Sequence, residues 1–285
     1  MNASLAGIQY EDHNFEVGIN GFFQDNFSTP DTGVKRLIPD YYKFESGIYL
    51  LGDYKKNNSQ YMGDFSAPKL DVVRVAFIGV GARGSGHAKQ IAAIEGTEVV
   101  GISDLYKYLA EKSSIICQGI GNGKRHKNIA IYSGNKDKWI DMLKEVKPDA
   151  VFISTNWDNH APMAIETMKS GAHAFVEVPM ATSIEDLWDI VNTSEKTRKH
   201  CMMMENVNYG RDELMYLNMC RKGVIGDFLH AEAAYIHELR FQMKEEERGT
   251  GSWRTHHYAK SKGNLYPTHG LGPVAQYMNL SLIHI

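Results

Sequence analysis

The stretch Val75–His87, VAFIGVGARGSGH, decides the fold of this chain. It begins with an unbroken apolar run, continues with glycines in a GxGxxG pattern, and leads into helix-forming residues. The apolar run predicts a buried parallel strand, and the glycines predict a turn into a helix. In such a turn Gly79 permits a tight bend, Gly81 lets backbone N–H groups approach a pyrophosphate, and Gly84 lets the helix pack closely. The stretch therefore predicts a dinucleotide-binding turn, with glycines used for packing alone as the alternative.

A second predicted strand supports the dinucleotide interpretation. It runs from Glu98 to Asp104 and ends in the Asp104 carboxylate, roughly 20 residues beyond the last glycine of the turn. A carboxylate at this place accepts a hydrogen bond from a ribose hydroxyl and repels a 2′-phosphate, so the sequence predicts NAD rather than NADP. The cofactor contacts predicted from these two elements are Gly79, Gly81, Ala82, Arg83, Gly84 and Asp104.

Length and composition restrict the class of protein. The 285 residues are enough for two domains, and 43% hydrophobic with 23% charged residues is ordinary for a globular protein. A net charge of −3 gives no electrostatic reason to expect binding to nucleic acid or to an anionic membrane. No apolar run reaches the length of about 18 residues that a membrane span needs. The first residues lack a signal-peptide pattern, which favours the cytoplasm, with a periplasmic or secreted location as the alternative if the N-terminus is incomplete.

The cysteines predict neither a metal site nor a disulfide framework. Cys117, Cys201 and Cys220 are odd in number and lie in no spacing typical of metal ligands. We therefore expect free thiols, which fits a reducing compartment.

The composition and the hydrophobic periodicity of the chain change near residue 71. Residues 1–70 are rich in Asn, Asp, Gly and aromatic residues without a clear period, apart from a short predicted strand at 47–51. They are interpreted as an N-terminal extension, packed through its aromatics or, alternatively, stacking on carbohydrate. Strands are then predicted at 73–79, 98–104, 149–155, 173–176 and 200–204, and helices at 85–95, 105–116, 135–146, 161–170 and 183–199. This alternation predicts an α/β fold over 71–206, a Rossmann doubly wound parallel sheet.

Two segments are expected at the carboxyl ends of these strands, where doubly wound sheets bind their ligands. Trp157 and His160 follow one strand and would line a nicotinamide ribose or an adenine edge, with packing and capping as the alternative. Glu177 and Val178 follow the next strand and reach the same edge.

Residues 207–285 are predicted to form part of an α+β substrate domain. A helix is expected at 211–222 and an alternating strand at 228–239. Tyr266 and His269 then lie three residues apart in a loop bounded by glycine and proline, after an aromatic and cationic segment that contains Arg254. This cluster is interpreted as a polar site, with surface loops as the alternative.

Several of these segments together carry a family resemblance over about residues 72–280. They are Glu177-Val178-Pro179, Ser194–Thr197, Glu205-Asn206, Tyr209–Arg211, Ala234–Arg240, Trp253-Arg254 and Gly263–Ala275. The chain resembles the glucose–fructose oxidoreductase/inositol dehydrogenase (Gfo/Idh/MocA) superfamily and, within it, glycoside hydrolase family 109, the NAD-dependent α-N-acetylgalactosaminidases. The dehydrogenases of the superfamily usually have lysine where this chain has Val178, which favours the glycosidase. The sequence ends soon after Pro273 in a tail unlike the family, so we expect a truncated second domain.

The resemblance implies a redox-neutral cleavage of a small-molecule glycoside. Oxidation at carbon 3 of the sugar acidifies the proton on carbon 2, the aglycone leaves carbon 1, and water addition with re-reduction closes the cycle. The paired carboxylates of ordinary glycosidases are then not required. A sugar dehydrogenase and an inactive nucleotide-binding fragment are the alternatives, and a homo-oligomer is left open.

The resemblance also assigns roles to individual residues. The implied catalytic groups are His269, Tyr266, Tyr209 and Glu177. The implied NAD contacts are Trp157, His160, Glu177, Val178, Asn206 and Tyr266. The implied substrate contacts are Tyr235, Arg254, Tyr266, Pro267, Thr268 and His269.

Overall fold

The computed structural model describes two compact units, Met1–Ser59 and Gln60–Ile285. In the first, it describes the backbone of the strands at 2–10, 13–26 and 41–53. In the second, it describes residues 62, 65–120, 125–236, 238, 240, 252–260 and 267–280.

The first unit contains a three-stranded antiparallel sheet in the order β1-β2-β3. The strands are β1 (Asn2–Tyr10), β2 (His13–Asn26) and β3 (Tyr41–Asp53). Only a short piece of β3 is predicted from the sequence. The pairing of β2 with β3 nevertheless runs without a break from Asn26 opposite Tyr41 to Asn14 opposite Asp53. Backbone pairing can extend through glycines and asparagines that interrupt the side-chain pattern, and the pattern therefore underestimates the strands.

The second unit is built on a six-stranded parallel sheet in the order β6-β5-β4-β7-β8-β9. The strands are β4 (Val73–Ile78), β5 (Thr97–Ser103), β6 (Ala130–Tyr132), β7 (Ala150–Ile153), β8 (His173–Val176) and β9 (Cys201–Met203). This is the doubly wound order, with the chain reversing its direction of growth between β4 and β7. The predicted α/β Rossmann fold is confirmed. β6 is not predicted because its three residues are too few to show a period.

Helices cover both faces of this sheet because alternate residues of each strand point to opposite sides. In β4, Val75 and Phe77 belong to one buried cluster, with residues of α1 (Ala82–Ala92) and α2 (Lys107–Gln118). Ala76 and Ile78 belong to the other cluster. That cluster includes residues of α3 (Lys138–Val146), α4 (Trp157–Lys169) and α5 (Ile184–Thr197).

The first turn of α4 begins earlier than the sequence predicts. The helix begins at Trp157 instead of residue 161, so Trp157 and His160 both lie in its first turn, directly after β7. The two side chains therefore have fixed positions on a helix at the carboxyl edge of the sheet.

Short helices follow the sheet. They are a 3-10 helix (Val207–Tyr209), α6 (Arg211–Arg221), α7 (Ser252–Lys260) and α8 (Thr268–Tyr277). The segment around His269, predicted as a loop, is the first turn of α8. The glycines of this helix and Pro273 in its interior have low helix propensity, so the sequence does not predict the helix. Pro267 stands at its start, where proline is favourable.

The predicted strand at 228–239 is wrong over the residues that the structure describes. Residues 228–236 and 238 form no strand, and Leu229 and Ile236 are 97% and 91% exposed. Alternation alone does not make a strand, because a strand needs a neighbour to accept and donate its backbone hydrogen bonds. None of the described strands pairs with this segment.

The cysteines and the helix lengths can be compared with the sequence predictions of free thiols and of no membrane span. Cys117, Cys201 and Cys220 are free, and burial raises the pKa of Cys117 to about 11 and that of Cys201 to about 12. Among the described residues, no helix combines the length and the apolar character needed to cross a membrane.

Candidate functional site

A cleft of about 810 Å³ opens at the carboxyl ends of β4 and β7. Ile78, Gly79 and Ser154 lie on its wall, at the ends of these two strands. This is the place where the strand order reverses and where open α/β sheets bind their ligands. The volume lies within the range of about 300–1,000 Å³ that small-molecule and cofactor sites occupy.

Each glycine of the turn after β4 has a different structural environment, which explains why glycine occupies that position. Gly79 has a φ of +82°, and a Cβ there would lie 2.7 Å from the carbonyl oxygen of Ser154. A Cβ at Gly84 would lie 1.9 Å from the carbonyl oxygen of Gly79, so only glycine lets α1 approach the strand. Gly81 lines the cleft, and a Cβ there would meet no atom of the described part of the chain within 4 Å. The space next to Gly81 belongs to the cleft.

The N-terminus of α1 faces this cleft. Gly81 is its N-cap, no side chain caps its first turn, and no acidic residue lies there. Ala82 and Arg83 follow on the wall of the cleft. The first N–H groups of a helix and its dipole attract an anion, and this helix end suits a phosphate group.

Asp104 connects the end of β5 to the glycine turn. Its Oδ2 accepts a hydrogen bond of 2.8 Å from the backbone N–H of Val80, and its Oδ1 accepts one of 2.9 Å from that of Tyr106. A carboxylate has about four lone-pair sites, and these two bonds leave capacity for ribose hydroxyls. The same side chain can brace the phosphate-binding turn and bind the nucleotide.

Glu177, directly after β8, lies among basic groups. Its Oε1 is hydrogen-bonded to Nε2 of His87 on α1 and lies 3.8 Å from Nε of Arg83. Burial acts to raise the pKa of Glu177, but the hydrogen bond and charge of His87 and the charge of Arg83 outweigh it and lower that pKa below its usual value. Glu177 is therefore a carboxylate at neutral pH and unsuited to donating a proton there.

The first turn of α4 meets α7 at the cleft. The ring of Trp157 is 3% exposed and contacts the rings of Trp253 and His257 at centroid distances of 5.0 and 4.9 Å. The guanidinium of Arg254 stacks 4.3 Å above the Trp253 ring. These contacts hold Arg254 at the cleft wall by stacking, which suits a planar cation.

His160 is part of the wall and is held by the backbone. Its Nδ1 lies 2.6 Å from the carbonyl oxygen of Pro179, and its Nε2 lies 3.1 Å from that of Thr155. Burial lowers the pKa of His160, and these carbonyl groups offset the effect only in part. A neutral imidazole has one N–H and can donate to only one of these two carbonyl oxygens. The ring lies between α4 and the turn after β8, and it also lines the cleft.

His269 enters the cleft from the first turn of α8. Its Nδ1 lies 2.6 Å from Oε1 of Glu205, which follows β9, and its ring contacts the ring of Tyr235 edge-on at 4.6 Å. The Glu205 and His269 side chains are only 3% and 7% exposed. A carboxylate and an imidazole thus form a buried pair. Glu205 follows β9 and Asp104 follows β5, so the two carboxylates lie on opposite sides of the point where the strand order reverses.

These features fit a bound dinucleotide. The open space at Gly81, the uncapped helix end and the Asp104 carboxylate match the pyrophosphate and ribose groups of NAD in kind. Ser154 also lines the cleft, and its buried Oγ has no hydrogen-bond partner among the described residues. A hydroxyl in that state can donate to or accept from a polar ligand.

Most of the site residues predicted from the sequence meet in this one cleft. They are Gly79, Gly81, Ala82, Arg83, Asp104, Trp157, His160, Glu177, Val178, Asn206, Tyr235, Arg254 and His269. Gly84 lies behind the turn, and Pro267 and Thr268 are not on the wall. Tyr209 is 61% exposed and also lies off the wall, so its catalytic role rests on the resemblance alone. Tyr266 lies outside the described residues.

The sequence argument misses two groups that contact predicted site residues. His87 lies about one helical turn after Gly84, in the helix that the glycine pattern predicts, so its place near the turn could have been inferred. Glu205 stands at the carboxyl end of the last strand of the sheet, and the rule that ligands bind at these ends could have identified it.

Two family models cover most of the second unit. Residues 73–205 match the oxidoreductase family with the NAD-binding Rossmann fold, and residues 209–283 match the glycosyl hydrolase 109 C-terminal domain.

Similar proteins bear the same family name. Glycosyl hydrolase family 109 protein 1 of Akkermansia muciniphila is 63% identical over 227 residues, which are 80% of this chain and 46% of that protein. A glycosyl hydrolase family 109 protein of Shewanella baltica is 57% identical over 215 residues, which are 75% of this chain and 46% of that protein. The chain spans about half the length of these relatives.

Solved structures share the fold. Scyllo-inositol dehydrogenase from Lactobacillus casei, with bound NAD(H) and scyllo-inositol, is 16% identical with a TM-score of 0.57, covering 73% of this chain and 56% of that one. Myo-inositol 2-dehydrogenase from Lactobacillus plantarum is 18% identical with a TM-score of 0.58, covering 73% and 57%. Residues 73–205 are thus an NAD-binding Rossmann domain of the Gfo/Idh/MocA oxidoreductases, and within these the chain belongs to glycosyl hydrolase family 109.

Proposed function

We propose that the intact protein is an NAD-dependent glycosidase that cleaves α-N-acetylgalactosaminides without net oxidation. The observation that carries this proposal is Val178, which lines the cleft directly after Glu177 and is 3% exposed. The dehydrogenases of the superfamily usually place a lysine at this position to act on the substrate hydroxyl. An apolar side chain cannot transfer a proton, so the cleft depends on other groups for proton movement.

The residues of the cleft divide into a nucleotide side and a sugar side. The turn at Gly79 and Gly81, the end of α1 and Asp104 would hold the nucleotide. Bound NAD would supply a hydride acceptor and donor at carbon 3 of the sugar. His269, Tyr235 and Arg254 also line the cleft and would contact the sugar.

His269 is assigned the proton transfer at the oxygen on carbon 3. The imidazole accepts the hydroxyl proton as the carbon is oxidised and returns it when the carbon is reduced. Tyr266 is assigned to the same end of the sugar by the family resemblance. Arg254, stacked on Trp253, would orient a polar substituent of the ring, because its guanidinium is held by the aromatic face and keeps its donors.

A sugar dehydrogenase is the second candidate function. The oxidoreductase description of the family matched by residues 73–205 favours it. It differs from the glycosidase in its products, because a dehydrogenase accumulates one NADH for each oxidised sugar. A protein that binds nucleotide without turnover is the third candidate.

A chromogenic α-N-acetylgalactosaminide, given to the intact protein, separates these candidates. We expect release of the chromophore with no accumulation of NADH. NADH that builds up in proportion to oxidised sugar identifies the dehydrogenase, and neither signal with nucleotide bound identifies the third candidate.

Turnover in deuterated water tests the chemical route. Elimination requires removal of the proton on carbon 2, so the released sugar should carry deuterium there. Sustained cleavage with no deuterium at carbon 2 would contradict the route even if the glycoside is a substrate.

A further inference from the structure

The buried pair of Glu205 and His269 joins two parts of the chain that are far apart in sequence. Oε1 of Glu205 lies 2.6 Å from Nδ1 of His269 and also accepts a hydrogen bond of 2.9 Å from the backbone N–H of Val207. The second oxygen, Oε2, is buried and has no hydrogen-bond partner among the described residues. Both side chains are nearly inaccessible, although His269 also lines the cleft.

The contact decides which nitrogen of His269 carries the proton. An ionised carboxylate is only an acceptor, so Nδ1 must be the donor in the contact with Glu205. In a neutral imidazole the lone pair is then on Nε2. An imidazole with this tautomer accepts a proton at Nε2 and donates it again from there.

The backbone of the 3-10 helix fixes the carboxylate itself. The N–H of Val207 donates to the same oxygen that faces His269, so rotation of the carboxylate would break both contacts. Glu205 is thereby held from its own chain segment, two residues before Val207. The orientation of the His269 ring follows from that of Glu205.

We propose that Glu205 is a positioning residue that holds His269 in the Nδ1–H tautomer and stabilises the imidazolium formed at proton transfer. The proposal deepens the proposed function and rests on it for the role of His269. In the step concerned, the O–H bond at carbon 3 breaks and an Nε2–H bond forms. The positive charge that appears on the ring lies beside a buried carboxylate, which lacks another charge-compensating contact at Oε2 among the described residues.

Two substitutions at Glu205 separate the tautomer from the charge. In Glu205→Gln, the Val207 N–H should select the amide oxygen for the position of Oε1, because an NH₂ group there would face another donor. The Nδ1–H tautomer should persist while the charge is lost. Glu205→Leu removes the acceptor, and both the tautomer preference and the charge should disappear.

The first readout is the ¹⁵N spectrum of the histidine rings in the intact protein without substrate, with the His269 signals assigned by their loss in His269→Ala. We expect an Nδ1–H tautomer in the wild type and in Glu205→Gln, and a mixture or the Nε2–H tautomer in Glu205→Leu. An Nε2–H tautomer in the wild type would overturn the inference, and so would an unchanged tautomer in Glu205→Leu.

The second readout is steady-state cleavage of the chromogenic glycoside. We expect kcat to fall on the order of tenfold in Glu205→Gln and on the order of 10² or more in Glu205→Leu, with KM nearly unchanged, since the effect concerns proton transfer. Glu232→Gln, which alters an exposed carboxylate, is the control and should keep the wild-type kcat. An equal kcat in Glu205→Gln and in the wild type would contradict the role of the charge.

The two readouts also distinguish failure of this inference from failure of the proposed function. The spectrum does not depend on any glycoside being cleaved. If the predicted tautomers are found but no chromophore is released, the positioning of His269 by Glu205 is supported and the proposed glycosidase activity is contradicted. If Glu205→Leu does not fold, Glu205→Gln still tests the charge, since a structural role alone would not lower kcat in a folded variant with normal KM.

Discussion

His87 on α1 and Glu177 after β8 are joined by a hydrogen bond that ties the phosphate-binding helix to a more distant strand of the sheet. Their side chains are only 19% and 13% exposed. The bond explains how a carboxylate can remain ionised in a largely buried position, because the basic group compensates the cost of burial.

Replacement of His87 by alanine should lower stability in a pH-dependent way. Folding lowers the pKa of Glu177 from its ordinary 4.5, so the stabilisation is complete above that pH and is lost as the pH falls through the lower folded value. We expect His87→Ala to reduce the free energy of unfolding by about 1.5–3 kcal/mol near neutral pH, as for a hydrogen bond to a charged group. Denaturant titrations from about pH 6 to about pH 3 should find the difference shrinking.

The exposed His256 provides the control for this experiment. His256→Ala should change the free energy of unfolding by less than about 0.5 kcal/mol at every pH. A gap between His87→Ala and the wild type that stays constant through the acid range would contradict the assignment to Glu177.

The glycines of the turn should separate nucleotide binding from stability. Gly84→Ala places a methyl group against the Gly79 carbonyl and should cost about 1–3 kcal/mol or more. The methyl group of Gly81→Ala meets no atom of the described residues, so the variant should fold normally and lose about tenfold or more in NAD affinity, a change of about 1.4 kcal/mol. Thermal unfolding and calorimetric titration with NAD measure the two effects.

Gly86 is the matched control for the turn. It is exposed on α1, and a Cβ there would meet none of the residues that the structure describes, so Gly86→Ala should stabilise the helix by about 0.5–1 kcal/mol and leave NAD affinity unchanged. Normal NAD affinity in Gly81→Ala would exclude the close approach of a phosphate at that residue.

Asp104 should make the protein select NAD over NADP. A 2′-phosphate next to its carboxylate would bring like charges together, so NADP should bind at least about tenfold more weakly. Nucleotide released by denaturation and identified by mass should be NAD. A preparation that releases mostly NADP would contradict this role of Asp104.

His269→Ala in the intact protein should reduce turnover by about 10² or more while NAD stays bound, the typical contribution of a positioned acid or base. Tyr266→Phe is predicted to have a similar effect from the family resemblance. Kinetics with the chromogenic glycoside and the nucleotide content of the purified variants provide the measurements. Full activity in His269→Ala would remove this residue from the catalytic groups, and loss of nucleotide instead of turnover would indicate a packing role.

The nucleotide-binding sheet can be predicted from the sequence because each of its signals is local. The apolar run at Val75, the glycine turn and the carboxylate at Asp104 lie within single elements, and their roles follow from one strand, one turn and one helix. The edge strand β6 escapes prediction because it is short, and its place is fixed by pairing with β5.

The sugar side is harder to predict because its contacts join distant segments. The sequence near His269 does not predict a helix. It does not predict a carboxylate partner either, because Glu205 lies 64 residues away. The alternation at 228–239 is misleading for the same reason, because a strand depends on a partner that its own sequence does not specify. Local patterns therefore give the residue types at the site, and tertiary contacts give their pairing.

The position of Glu205 has a consequence for the design of chimaeric enzymes. It is the last residue of the segment that matches the Rossmann family, whereas His269 belongs to the segment that matches the family 109 C-terminal domain. A fusion of this second segment to the nucleotide-binding half of another member of the superfamily would transfer the histidine and leave its carboxylate behind. A junction upstream of β9 would transfer both, and recombination between such enzymes should succeed or fail according to which side of the junction carries residue 205.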